Sequence, residues 1–128
     1  MTTRPAVTMK SAIEQILQAH GILERFLTNP DFNEEIEVVG RLPLWIRRED
    51  DHVTISHYRV VEGIPVSDPE MEFRMIDHMY VPVWFLDSNG QDFLALTTGA
   101  RAELCDLAGL WAGNLLALGY LTGIVVAA

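Results

Sequence analysis

Four residues in the middle of the chain have side chains that could do chemistry. His57 lies in an apolar run, and three carboxylates, Asp68, Glu70 and Glu72, follow it. A glycine and a proline between the two segments favour a tight turn, which would bring the carboxylates beside the strand that holds the imidazole. One imidazole and two carboxylates can bind a hard or borderline divalent metal. His57, Asp68 and Glu70 are therefore a candidate metal site.

The same residues also have a purely structural interpretation, which we favour. Asp68 would cap a turn, Glu70 and Glu72 would lie on the solvated face of a strand, and His57 would be hydrogen bonded in place. The register of the two strands decides between the interpretations, and a sequence does not fix it. If the set is not a metal site, its members, together with Tyr58, are candidates for contact with a partner protein.

Nucleophilic catalysis and nucleotide binding have little support in the sequence. Cys105, the only cysteine, lies in an apolar segment where a thiolate is disfavoured, and no serine has G-x-S-x-G surroundings. The glycines near the C-terminus are not followed by the Lys or Ser of a phosphate-binding loop. We therefore predict no cofactor, and we expect a protein that is not an enzyme.

The charge balance favours a basic protein partner. The chain has 9 Lys and Arg against 18 Asp and Glu, for a formal net charge of −9. An acidic surface repels the phosphate backbone, so direct binding of nucleic acid is not expected. The carboxylates fall mainly in residues 31–37, 49–51 and 62–77, and they could form a surface that attracts a basic partner.

Length and composition predict one domain over residues 1–128, with a flexible N-terminus over residues 1–10. Apolar residues make up 49% of the chain, which is enough for a core. A single cysteine excludes an internal disulfide and fits a reducing compartment, and the first residues lack the apolar core of a signal peptide. We therefore expect a cytoplasmic protein.

The uncharged stretch over residues 107–128 has two interpretations. It is long enough to cross a bilayer, which makes a membrane anchor a minor alternative. Several glycines interrupt it and no basic residue flanks its end, so a buried helix that runs into a strand is the favoured interpretation.

The periodicity predicts an α+β domain, in which an antiparallel β-sheet meander is flanked by an N-terminal helix and a long apolar C-terminal helix. The first helix should begin at Ser11, where the S-x-x-E spacing to Glu14 is typical of a capping box. It should end at Gly21, a natural terminator, or continue by a second turn or two as far as Asn29-Pro30. The second helix should span residues 100–120, with an edge strand at 124–126. Turn-forming residues, among them those at 67–69, separate six predicted strands. These strands are 36–39, 44–47, 53–61, 71–75, 81–86 and 93–97.

The second helix has a broad apolar side and only a narrow polar side. Trp111, Leu115 and Leu118 lie on the apolar side. Such a helix could be covered on two sides, by the sheet and by a second subunit. The three residues are therefore candidates for a homodimer interface.

Five segments occur in a characteristic order along the chain. They are His57-Tyr58, Gly63, Asp68-Pro-Glu-Met-Glu-Phe73, Trp111-x-x-Asn-Leu115 and Gly119-Tyr120. In this order they resemble a family of small bacterial domains of unknown function that are often carried on plasmids and phages. The resemblance covers residues 12–122, and this chain has Ile64 where the family segment places an Asp after the glycine. More distantly, the chain is similar to the YqiB-like bacterial domains.

The resemblance implies a bacterial or mobile-element origin and supplies no activity. Two hypotheses of function follow. The first is a noncatalytic interaction protein, in a specific version an anti-defence or regulatory protein that blocks a basic nucleic-acid channel with carboxylates in place of phosphates. The second is a metal-binding module or metal-dependent enzyme that uses His57, Asp68 and Glu70.

Overall fold

The described residues of the chain fold as three helices against a seven-stranded antiparallel sheet. The computed structural model describes residues 7–127. Strand order is β6-β5-β4-β3-β2-β1-β7, so the first six strands form a meander and the last returns to pair with β1. The predicted α+β class with an antiparallel sheet is confirmed. The elements are α1 (Met9–Ala19), α2 (Leu23–Thr28), β1 (Asp31–Glu37), β2 (Leu44–Glu49), β3 (His52–Val61), β4 (Ile64–Ile76), β5 (Met79–Leu86), β6 (Asp92–Leu94), α3 (Thr98–Ala117) and β7 (Ile124–Ala127).

Helix α1 begins two residues before the predicted start. Thr8 is the N-cap, and its hydroxyl oxygen accepts a hydrogen bond from the backbone N–H of Ser11 at 3.1 Å. The Ser11 hydroxyl instead accepts from Gln15 Nε2 at 3.0 Å. Met9 and Lys10, which we placed in a flexible N-terminus, belong to the helix, and residues 1–6 of that prediction lie outside the described residues. The buried face of the helix consists of Met9, Ala12, Ile13, Ile16 and Leu17.

Strand β1 covers a stretch that its polar composition had led us to exclude. Phe32, Glu34 and Ile36 point toward the helices and are buried, while the residues between them point to the other face. The buried carboxylate of Glu34 is paired with Arg25 Nη2 of α2 at 2.7 Å. A charged residue at a core position obscured the period-2 pattern that identifies a strand.

The expected turn at residues 67–69 is wrong, because strand β4 runs straight through them. The hairpin turn lies earlier, at Glu62 and Gly63, which both have positive φ angles, 51° and 79°, as a tight two-residue hairpin turn requires. The Asp68–Pro69 peptide is cis. The pairing of β3 with β4 shifts register between Ser56 and Tyr58, so the sequence signal of a turn marks an irregularity inside a strand.

Helices α1 and α3 cover one face of the sheet and enclose the core. Helix α3 packs against α1 and β5. Its buried residues follow helical spacing and are Leu104, Ala108, Trp111, Ala112 and Leu115. Strands β1 to β4 alternate between residues buried under the helices and residues directed to the other face, which the described helices leave uncovered. Within residues 7–127, no helix combines the length and the apolarity needed to cross a membrane.

Strands β3 and β4 extend beyond their neighbours in the sheet. Pairing with β2 ends at His57, and pairing with β5 begins at Glu70. Residues 58–61 and 64–69 therefore form a two-stranded ribbon that projects from one end of the sheet, which we call the β3–β4 arm. Its aliphatic side chains are unusually exposed, with Val60 and Ile64 each at 64%.

Candidate functional site

His57 is partly buried on the helix-covered side of the sheet. Its Nδ1 is 3.2 Å from the carbonyl oxygen of Pro43, and its Nε2 accepts the indole N–H of Trp111 at 3.0 Å. The rings of Trp111 and Tyr120 each lie 5.5 Å from the imidazole. Burial lowers the pKa of His57, because the charged form would lose its hydration. Both ring nitrogens are engaged, so the imidazole acts as a neutral structural group.

The three predicted carboxylates are directed to other partners. Asp68 accepts the backbone N–H of Ser88 at 2.9 Å, at the base of the β3–β4 arm. Glu70 is 3.1 Å from Arg47 Nη2, and Glu72 is 2.7 Å from Nδ1 of His52. Ser56, the neighbour of His57 in β3, is the residue directly opposite Glu70. Glu70 and Glu72 therefore face the uncovered side of the sheet, away from His57.

The structure thus does not bring His57, Asp68 and Glu70 together. Among the residues that the structure describes, no group of three or more His, Cys, Asp or Glu side chains is placed to hold a metal ion. The structural interpretation of His57, as a hydrogen-bonded residue inside the fold, agrees with its contacts.

The uncovered face of the sheet instead collects carboxylates from four strands, β1, β2, β4 and β6. Cross-strand partners share a face, so the face of each residue follows from the alternation and the pairing. We call this surface the acidic face. Arg47 and Arg74 are the arginines on it, and each pairs with a carboxylate, Glu70 and Asp51 respectively. Its acidic residues are Asp31, Glu35, Glu37, Glu49, Glu70, Glu72 and Asp92.

Aromatic side chains lie among the carboxylates of the acidic face. The rings of Trp45 and Tyr58 meet edge to face at 6.0 Å, and the guanidinium of Arg47 lies 4.2 Å from the Trp45 ring centre. Trp45 donates its indole N–H to Asn33, and Tyr58 donates its hydroxyl to Glu35. Rigid rings with a polar edge and a stacked arginine are the residue types that dominate binding energy at protein interfaces.

The hydrogen bond to Glu35 also fixes the charge state of Tyr58. Loss of the phenolic proton would break this bond and place two negative charges side by side. The contact therefore raises the pKa of Tyr58 to about 12. Tyr58 was predicted as an interaction residue, and it lies where the acidic face meets the β3–β4 arm.

The candidate dimer residues separate into two groups. Trp111 and Leu115 are buried in the chain's own core against the sheet. The prediction that these two form a subunit interface is therefore corrected, because an interface residue must be accessible in the separate subunit. Leu118 is 36% exposed and remains at the surface.

Cys105 lies at an apolar groove away from the acidic face. The groove, of about 720 Å³, is bordered by the start of α1, by α3 and by the turn between β4 and β5. Met9, Met79 and Leu110 are among its lining residues. The thiol is exposed there, although its segment of sequence is apolar.

Comparison of the chain with protein-family models, with curated proteins and with solved structures gave no significant match. The resemblance to small bacterial domains therefore stays a prediction. The sequence interpretation missed Glu35, Asn33, Trp45 and Arg47 as members of one surface. The alternation of apolar and polar residues over 31–37 was the available signal, because it places Asn33 and Glu35 on one face of a strand.

Proposed function

We propose that this domain is a noncatalytic protein-interaction module that binds a basic partner through the acidic face. The observation that carries the proposal is the collection of carboxylates from β1, β2, β4 and β6 on the one sheet face that the described helices leave uncovered. A surface of one sign attracts an oppositely charged partner and accelerates its docking. Trp45 and Tyr58, which lie among its carboxylates, supply apolar contact area for affinity.

The charge of the acidic face is only partly compensated inside the chain. Glu70 and Glu72 have a basic neighbour within the fold, Arg47 and His52 respectively. Glu37 and Glu49 lie exposed at opposite ends of the strands, so their carboxylates are available to a partner. This surface would match a partner with lysine or arginine side chains near Glu37 and near Glu49 and with apolar side chains between these two positions.

The experiment compares two double variants that remove the same charge from different surfaces. Glu37→Gln with Glu49→Gln changes the acidic face, and Glu103→Gln with Asp106→Asn changes the exposed side of α3. All four side chains are exposed, so neither variant is expected to disturb folding. Each protein is immobilised and used to capture partners from a bacterial lysate at about 0.05 M and about 0.5 M salt, where screening differs strongly.

We expect the wild type and the α3 variant to capture the same basic protein at low salt and to release it at high salt. The acidic-face variant should bind that protein at least about tenfold more weakly, because charges flanking an interface control association. Equal capture by both double variants would contradict the proposed surface. A captured partner that is acidic or insensitive to salt would contradict the electrostatic mechanism.

A narrower form of the proposal is that the partner has a nucleic-acid channel and that the carboxylates stand in place of phosphates. The low arginine content of the acidic face and its carboxylates on adjacent strands support this form. It predicts that duplex DNA displaces the domain from the captured protein, because both ligands would use one basic surface. A captured protein that binds DNA and the domain simultaneously would contradict it.

A further inference from the structure

The β3–β4 arm has an unpaired backbone edge in the part of the chain that the structure describes. Strand β2 pairs with β3 only up to His57, so residues 58–61 have β4 as their only described strand neighbour. Backbone N–H and C=O groups that point away from β4 form an edge that can accept another strand. A two-stranded ribbon is at best marginally stable in water, so an added strand would also stabilise the arm.

The arm also exposes apolar side chains that a second strand would cover. Val60 is 64% and Val61 is 45% exposed on β3, and Ile64 is 64% exposed on β4. Natural edge strands are usually protected by charge, by a bulge or by a covering segment. The tip of this arm combines exposed aliphatic residues with an open edge, which is the pattern of a strand-addition site.

We propose that the edge of β3 over residues 58–61 receives an extended segment of the basic partner as an added antiparallel or parallel strand. This inference rests on the proposed function and names the part of the partner that binds. The added strand would lie in line with β2, because β2 occupies the same side of β3 farther along. Glu35 of β1 lies opposite Trp45 of β2 and reaches Tyr58 with its carboxylate, so its charge would lie beside the end of the added strand.

The charges near the β3–β4 arm indicate which side chains the added segment should carry. Glu35 and Glu37 both lie close enough to Tyr58 to raise its pKa by their negative charge. Both point to the acidic face, so the side chains that the added strand directs to that face should be lysine or arginine. On the opposite face, the arm presents Val61 and Arg59, whose guanidinium lies 3.9 Å from Asp68, so this face favours apolar side chains and repels basic ones. Successive strand residues alternate between faces, so the segment should alternate basic and apolar residues.

The edge of β3 is a better receptor than the edge of β4. Asp68 in β4 accepts the backbone N–H of Ser88, so the turn after β5 already contacts the base of that edge. The edge of β4 is therefore partly covered, whereas residues 58–61 of β3 have β4 as their only described strand neighbour.

The test uses the full chain and a synthetic peptide in which lysine and valine alternate. Two measurements are made by NMR, the amide shifts of all residues and the hydrogen exchange of residues 58–61. A matched peptide carries N-methyl groups on the backbone amides that would pair, which keeps its charge and apolar side chains but blocks strand pairing. The protein variants are Glu35→Gln with Glu37→Gln, and Glu103→Gln with Asp106→Asn as the control.

We expect the alternating peptide to slow exchange in residues 58–61 and to shift their amides, and the N-methylated peptide to do neither. The Glu35 and Glu37 variant should bind at least about tenfold more weakly, and the control should bind like the wild type. Absence of binding, or equal binding of the N-methylated peptide, overturns the inference. Slow exchange without peptide, accompanied by a dimer in sedimentation, also overturns it, because the arm would then pair with a second copy.

The failure of the inference can be told apart from failure of the proposed function. A peptide that shifts Trp45 and Glu49 but leaves residues 58–61 unprotected overturns strand addition and leaves the acidic face as the binding surface. If the charge variants do not change partner capture, the proposed function itself fails, whatever the peptide does at the arm.

Discussion

The indole of Trp111 donates its N–H to Nε2 of His57 across 3.0 Å, although 54 residues separate the two in the chain. An acceptor nitrogen carries no proton, so the other ring nitrogen, Nδ1, must donate to the carbonyl of Pro43. The pair therefore fixes one neutral tautomer of His57 and connects α3 to the middle of the sheet. Both ring nitrogens of the residue that the sequence made most suggestive of chemistry are thus engaged within the fold.

Protonation of His57 should destabilise the fold. Burial lowers the pKa of His57 in the folded state below its usual value of 6.5, so the unfolded chain binds a proton more readily. The stability that the neutral His57 imidazole contributes is fully present above pH 6.5. As the pH falls below that value, the free energy of unfolding decreases by up to about 1.4 kcal/mol per pH unit. Urea unfolding of the wild type and of His57→Gln across this range should show this slope only in the wild type. Parallel slopes would contradict the assignment.

Removal of the indole N–H should cost more at Trp111 than at the comparable residue Trp84. Trp111→Phe leaves Nε2 of His57 buried without its donor, and we expect a loss of about 1–3 kcal/mol in the free energy of unfolding. Trp84 donates to the exposed Asp92 at 2.9 Å, where water can replace the partner, so Trp84→Phe should cost less. Chemical denaturation measures both. A larger loss for Trp84→Phe would show that the Trp111 bond is unimportant.

Two glycines near the end of the chain should respond in opposite directions to a methyl group. A Cβ at Gly123 would lie 2.5 Å from the carbonyl oxygen of Glu37 and 3.0 Å from side chains of Ile36 and Val38, so Gly123→Ala must displace β1 or the chain itself. We expect a loss of about 1–3 kcal/mol.

Gly113 is the matched control. It lies within α3 and has open space around the position of a Cβ, so Gly113→Ala should stabilise by up to about 1 kcal/mol through better helix propensity. Thermal unfolding of both variants gives the signs. A neutral Gly123→Ala would mean that β7 does not pack against β1 as closely as the structure shows.

The titration of Tyr58 reports on the acidic face. Its pKa is raised to about 12 by the hydrogen bond to Glu35, so Glu35→Gln should lower the pKa of Tyr58 toward the usual value near 10. The ultraviolet absorbance of the phenolate follows this titration. Glu103→Gln, on α3, should leave the titration unchanged. If Glu35→Gln also left the pKa of Tyr58 unchanged, the contact between Glu35 of β1 and Tyr58 of β3 would be contradicted.

Strand β1 shows which parts of the fold hydrophobic periodicity predicts and which it does not. The existence of the strands between Leu44 and Leu86, of the long helix and of the final edge strand follows from hydrophobic periodicity and turn residues, and the structure contains all of them, although β4 begins at Ile64 and not at the predicted residue 71. The same method placed Asp31 to Glu35 outside the sheet, because Glu34 occupies a core position that is normally apolar. Its partner Arg25 lies on α2, and such a tertiary ion pair has no local signature.

The sequence by itself determined the kinds of elements, their order and the excess of negative charge, because these depend on local propensity, period and composition. The tertiary structure decided on which face of the sheet the carboxylates collect and that both ring nitrogens of His57 are hydrogen bonded within the fold. Register is set by which inward side chains fit beneath α1 and α3, and a one-residue shift reverses every side chain on a strand. With a shift of one residue, His57 would lie beside Glu70. In the observed register it lies on the opposite face, where Trp111 donates a hydrogen bond to it.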